Sequence, residues 1–139
     1  MSANATVIKD PYCMWNSVDY TGQCKEISFT FTVDQKEKTA SGDSEHTFTP
    51  GLNVAKLTGT FYQERGAGKI EANMWAAIAA GTLGNLVVKP HNVAVSASNP
   101  SYTVSTFIGS FQFINGPVGN EELCVVEFVP AGNVQRSTT

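Results

Sequence analysis

A chain of 139 residues is long enough to bury about two-thirds of its unfolded surface as one domain, and leaves little room for a second. Hydrophobic residues make up 42% and charged residues only 15%, against the ~25% typical of soluble proteins; with 12 glycines and many Thr, Ser, Val and Phe this favours a β-rich domain with large protein contacts. The net charge of −3, with no Lys or Arg between Lys89 and Arg136, argues against a phosphate-gripping or sequence-reading role.

Cys13, Cys24 and Cys124 form an odd set without CxxC or His-spaced patterns, so free thiols in a reducing compartment are expected, not a disulfide framework or a zinc site. The start, Met1 to Thr6, has no basic cluster and no apolar run, and no window reaches the ~18 apolar residues that span a bilayer. The expectation is a protein made and kept in the cytoplasm, or in a particle assembled there, with no membrane anchor.

In chain order, residues 1–24 mix Pro11, Gly22 and polar residues with isolated apolar groups, Val7, Ile8, Tyr12, Met14, Trp15 and Tyr20. Cys13 to Tyr20 could form a strand. The segment reads as an arm that docks on its own surface or a neighbour's. Lys25 to Val33 then alternates, with Ile27, Phe29, Phe31 and Val33 on one face and Glu26, Ser28, Thr30 and Thr32 on the other, which predicts a strand.

Residues 34–50 follow as a long inter-strand loop containing Asp34, Lys36, Glu37, Lys38, Asp43, Glu45 and His46, with Ala40 and Phe48 its apolar residues. A connection this long is functional or mobile. It reads either as a solvated hairpin tip or as an arm that orders against a neighbouring subunit. Leu52 to Gln63 is the next predicted strand, with Ala55, Leu57, Gly59 and Phe61 opposite Lys56, Thr58, Thr60 and Tyr62.

Gly66-Ala67-Gly68 breaks the chain, and the period changes from two to that of a helix over about residues 70–80. Ile70, Met74, Ala77 and Ile78 form the packing stripe, Trp75 flanks it, and Gly81 stands where a C-cap belongs. Leu83 to Lys89 predicts a strand, and His91 to Ser101 reads as a loop.

The last hairpin is predicted as Tyr102 to Ile114 and Glu121 to Val129, joined by the turn Asn115-Gly116-Pro117-Val118-Gly119-Asn120. Alternation assigns Phe107, Gly109, Phe111 and Phe113 to a core face, and Thr106, Ser110 and Gln112, with Ile108, to the opposite one. Long strands without a basic residue seldom stay unpaired in a soluble monomer. Residues 130–139 read as a tail or a second docking arm.

No chemical constellation emerges from the residues. Gly66-Ala67-Gly68-Lys69 lacks the full phosphate-loop pattern, and His46 and His91 have no second metal ligand at suitable spacing. Glu121 and Glu122 are adjacent and point oppositely if extended, and Cys124 reads as a buried small hydrophobe. Trp15 and Trp75 read as an anchor and as helix packing, with stacking on a sugar or base as the alternative. An enzyme is not expected, nor any cofactor.

The order of elements resembles the tail tube (major tail) proteins of long-tailed bacteriophages. The resemblance is carried by Phe48-Thr49-Pro50-Gly51-Leu52 before Leu57-Thr58-Gly59-Thr60-Phe61, and by Met74-Trp75-Ala76-Ala77-Ile78-Ala79-Ala80-Gly81 before Leu86-Val87-Val88. Tyr102 to Ile108, Gly116-Pro117-Val118-Gly119 and Ala131-Gly132 complete it, so that it runs from about Lys25 to Gly132.

It implies a mainly β fold, a β-sandwich or barrel with one flanking helix, whose subunits build stacked hexameric rings as a conduit for DNA ejection. It further implies that Asp34 to Thr49 bridges rings, and that Met1 to Tyr20 and Pro130 to Thr139 are arms. Implied partners are further copies of the chain, a tape measure protein, tail terminator and tip proteins, and DNA in transient non-specific passage. Candidate lumen-facing residues are Thr106, Ser110, Gln112, Glu121 and Glu122, in a stretch from His91 to Gln135 that also holds Glu127 and no base. The rival readings are another phage structural protein (tail terminator, connector or head decoration) and a β-sandwich carbohydrate-binding module using Trp15 or Tyr102.

Overall fold

The computed structural model describes residues 7–42 and 44–139. Eight antiparallel strands and one helix follow in the order β1 (Tyr12–Trp15), β2 (Val18–Asp19), β3 (Cys24–Glu37), β4 (Phe48–Tyr62), α1 (Ile70–Ala80), β5 (Gly84–Lys89), β6 (Ser101–Phe111), β7 (Leu123–Pro130) and β8 (Gln135–Ser137). They make a single sheet in the order β2-β1-β5-β6-β7-β4-β3, with β8 also paired to β6. The sheet curls until β1 meets β3, and the Phe29 ring of β3 packs edge-on against Tyr102 of β6 with centroids 5.1 Å apart. The mainly β class with one flanking helix is therefore what the sequence predicts.

The enclosed core draws Cys13, Trp15, Leu57, Phe61, Leu86, Val104, Ile108, Cys124, Val126 and Phe128 from five strands. Each large apolar side chain buried in it contributes about 1.5–3 kcal/mol relative to exposure. Helix α1 covers β6 through Ile70, Met74 and Ala77, all buried. It ends because Gly81 adopts φ 65°, where a Cβ is costly, and the N–H groups of Gly81 and Thr82 close onto the carbonyls of Ile78 and Ala77. Two of the residues expected to pack, Ile78 of the stripe and Trp75 beside it, are corrected. Trp75 is 63% exposed, with only its edge-on contact to Phe113 at 5.4 Å, and Ile78 is 40% exposed. One turn-per-turn row of the helix suffices to reach the sheet, so the flanking residues stay outside.

Three segments expected to be arms or loops are more ordered than that. Within residues 12–24, β1 pairs with β5, Asn16 and Ser17, both at positive φ, turn the chain tightly into β2, and Thr21–Gln23 form one 3-10 turn before β3. Met1 to Thr6 of the expected N-terminal arm lie outside the described residues. At the other end, Ala131 donates its N–H to the Ser105 carbonyl and β8 pairs with Ser101 to Thr103, so this segment prolongs the line of β7 along β6.

The 34–50 stretch is the third. Strand β3 runs on to Glu37 and pairs through Gln35↔Pro50, Lys36↔Thr49 and Glu37↔Phe48, leaving only residues 38–47 as the connection. Charged residues hid the strand because a two-stranded ribbon standing clear of the body is wetted on both faces, and neither face needs to be apolar.

The final hairpin corrects the facing of β6. Val104, Thr106 and Ile108 point inward, Phe107 is exposed, and a register shift between Ile108 and Ser110 resets the alternation so that Phe111 is buried again. A bulge adds one residue to one strand and inverts every assignment beyond or before it.

Candidate assembly surface

The alternation along β3 that buries its root also builds its exposed end. Phe29 pairs with Leu57, Phe31 with Ala55 and Val33 with Asn53, so these residues share the face that, nearer the body, forms the core wall. Leu57 is buried on that face. From two residues farther along β3 the cover is only partial: Phe31 is 55% exposed and Val33 41%. Beyond a register shift between Val33 and Gln35, Glu37 pairs with Phe48 near the end of the arm, and Phe48 is 55% exposed. From Phe31 to Glu37 the ribbon extends about 20 Å at ~3.3 Å per residue.

The tip of this arm is closed by its own hydrogen bonds. Lys38 donates its N–H to the Thr47 carbonyl at 2.8 Å, Thr47 donates to Thr39 Oγ1 at 3.2 Å, and His46 Nδ1 lies 2.8 Å from Glu37 Oε1. Asp34, Lys36 and Glu37 are therefore strand residues, Lys38, Glu45 and His46 belong to the tip, and Asp43 lies outside the described residues. Beneath the root of the arm is a groove of about 600 Å³ floored by Phe29, Phe31, Val88, Tyr102 and Val134.

The outward face of the same sheet is different. Ser28 pairs with Thr58, Thr58 with Glu127 and Glu127 with Ser110, a polar ladder across β3, β4, β7 and β6. Glu26 and Thr60 pair in the next row, and the Val125 N–H donates to Gln112 Oε1. Of the candidate lumen-facing residues, Ser110, Gln112 and Glu121 are exposed and Glu122 is half-buried. Thr106 is withdrawn from that set: it is 0% exposed, accepts the Trp15 indole N–H and donates to the Gly84 carbonyl. Thr58 and Thr60 were not singled out for this face; their signal was the polar half of the alternation in β4.

The turn between β6 and β7 is fastened at its base. Arg65 grips both oxygens of Glu122 (2.6 and 2.9 Å) and donates to the Phe113 carbonyl at 2.6 Å, while Glu122 Oε2 also accepts the Asn115 N–H at 2.8 Å. These donors, the Arg65 guanidinium first, hold the Glu122 carboxyl down at about 2. Beyond the buckle, Ile114 and Val118 are fully open to solvent.

The three thiols sit in the core region and are unpaired. Burial pushes Cys24 and Cys124 up to about 11 and Cys13 higher still, which makes them poor nucleophiles. Among the described residues no three His, Cys, Asp or Glu side chains group as metal ligands, and no helix is long and apolar enough to cross a membrane.

Comparison with solved structures gives this arrangement its relatives. A chain from the virion of a native gene transfer agent particle superposes with a TM-score of 0.75 at 12% identity, covering 96% of this chain and 99% of that one. The SPP1 tail tube subunit superposes with a TM-score of 0.69 at 12% identity, over 94% of this chain and 77% of that one. The chain has the tail-tube fold. A chain of the cap that terminates the tube of the anti-feeding prophage shares it too, with a TM-score of 0.70 at 12% identity over 100% of this chain and 96% of that one. Neither a family model nor a curated protein sequence matches this one. At such identities the likeness is one of architecture, and the tail-tube fold is what it establishes.

Proposed function

We propose that this chain is a non-enzymatic structural protein of a phage-like tail, self-assembling into hexameric rings that stack into a tube. The observation that carries the reading is the exposed apolar surface of the β3–β4 arm, Phe31 and Val33 near its root and Phe48 near its tip. Exposed apolar surface of this kind on a rigid two-stranded ribbon calls for a partner. The tail-tube fold supplies the class of partner, further copies of the same chain, with a tape measure protein and tail terminator or tip proteins meeting the finished tube.

In this reading the single domain carries residues 34–50 as the ring-bridging arm, while the segments at 1–24 and 130–139 supply further contacts at its ends. The polar ladder Ser28–Thr58–Glu127–Ser110, with Gln112, Glu121 and Glu122 at its end, lines the lumen. A conduit must pass a polyanion without holding it. A wall whose hydroxyls and carboxylates outnumber Lys56, which pairs with Thr30 in the adjoining row, does this by weak like-charge repulsion, modest at physiological screening.

A cap or terminator of such a tube is the second reading, favoured by the full-length likeness to the anti-feeding prophage cap. Negative-stain electron microscopy of the purified protein separates the two. Stacked rings or tubes support the tube reading; single unstacked rings support the cap; a protein that stays monomeric at high concentration, even when offered preformed tail tips, contradicts both. The carbohydrate-binding reading loses its Trp15 platform, since that indole is buried.

A further inference from the structure

The groove beneath the arm root has a chemistry that matches the far end of the arm. No carboxylate lines it, and its rim carries Lys89 and Arg136, the two cations that bound the base-free stretch of the sequence. Lys89 is held in place, donating to the Val93 carbonyl at 2.9 Å with its ammonium 4.4 Å from the Tyr12 ring centroid. The arm tip has the complementary pattern. Phe48 stands beside its strand partner Glu37, and from Asp34 to Phe48 the sequence holds the acids Asp34, Glu37, Asp43 and Glu45 against Lys36 and Lys38. One surface is an apolar floor with two cations, and the other is an apolar knob beside the Glu37 carboxylate.

We propose that the groove is the socket for the β3–β4 arm tip of a second copy, with Phe48 entering over Tyr102 and Val88 and Glu37 meeting Arg136. This deepens the self-assembly reading and rests on it. The socket occupant is not the chain's own tip, because β3 is a continuous strand that carries Glu37 away from the Phe29–Phe31 stretch lining the groove. Knob and socket are different patches of one subunit, so the contact is heterologous, and repeated head to tail it generates rings or extended stacks in place of a closed dimer.

The test uses the full chain with the photo-crosslinking amino acid p-benzoylphenylalanine in place of Phe48, mixed with isotope-labelled wild type and irradiated after assembly. Crosslinks to residues 27–31, 88–90 or 134–136 of the labelled copy are expected; crosslinks that lead elsewhere overturn the socket. In parallel, Arg136→Glu should raise the protein concentration needed for half-assembly about threefold, the scale of a rim charge pair, and Glu37→Arg in the same chain should restore it. Phe48→Ala should raise it about tenfold or more, as loss of a central apolar anchor does. If deleting residues 39–46 abolishes assembly while Arg136→Glu and Phe48→Ala leave it unchanged, the socket is wrong and self-assembly through the arm survives. A wild-type protein that gives neither assemblies nor intermolecular crosslinks overturns both.

Discussion

The indole N–H of Trp15 donates to Thr106 Oγ1 at 2.9 Å, joining the N-terminal hairpin to the centre of the sheet across 91 positions of sequence. The same hydroxyl donates to the Gly84 carbonyl at 3.3 Å, so one threonine connects β1, β5 and β6. Gly84 is where the indole fits, since a Cβ there would lie 2.9 Å from Trp15 Cε2.

Thr106→Val keeps the shape and removes both bonds, leaving a buried N–H without an acceptor. It is expected to cost about 1–3 kcal/mol, measured by denaturant unfolding. Combining it with Trp15→Phe should cost less than the sum of the single changes, because the orphaned indole donor is gone. Strict additivity would show that the bond is not formed in solution.

The two neighbours on α1 should behave oppositely. Met74 is fully buried, and Met74→Ala is expected to destabilise the domain by about 2–5 kcal/mol through the cavity it leaves. Trp75→Ala, on the wet side, should cost no more than about 1 kcal/mol, the scale of one edge-on ring contact. Thermal unfolding of the two variants reads the difference directly.

Asn99 should prove a structural residue of the 91–99 loop. Its amide accepts from the His91 N–H and donates to the carbonyls of His91, Val93 and Ala94, all at 3.0–3.2 Å. Asn99 itself is buried, and Asn99→Ala takes the side-chain partner from the His91 N–H and the Ala94 carbonyl, so it should cost about 1–3 kcal/mol, with faster amide exchange confined to residues 91–99.

The Arg65–Glu122 buckle should be acid-sensitive in a defined window. Its carboxyl is lowered from the ordinary 4.5 to about 2, so its contribution is present in full above about pH 4.5 and fades as pH falls towards 2. Amide exchange at Asn115, whose N–H is bonded to Glu122, should accelerate across that interval relative to amides in β6. Glu122→Gln should show the loosened turn at neutral pH and remove the acid dependence.

How far the sequence could be read depended on whether alternation reported one buried face. In β3 and β4 it did near the body, and the helix was legible from the spacing of Ile70, Met74 and Ala77 together with Gly81. It failed where backbone pairing is not mirrored in side-chain polarity. The Asn16-Ser17 turn has no glycine to announce it, and Asp34 to Glu37 pair as strand in water. The bulge after Ile108 inverted the facing of Thr106 and Phe107, because period-two reading carries an error of one residue through the rest of a strand. The arm was legible as a charged stretch between two strands; its exposed apolar residues Phe31, Val33 and Phe48 needed the structure.

The most direct measurement of the central claim compares wild type with a Phe31→Ser/Val33→Ser/Phe48→Ser variant by circular dichroism and electron microscopy. Because these side chains are largely exposed in the single subunit, the variant should keep the β-rich fold and an unfolding midpoint close to wild type. It should lose rings and tubes at concentrations where wild type forms them. A variant that still assembles like wild type, or a wild type that never assembles, would contradict the account.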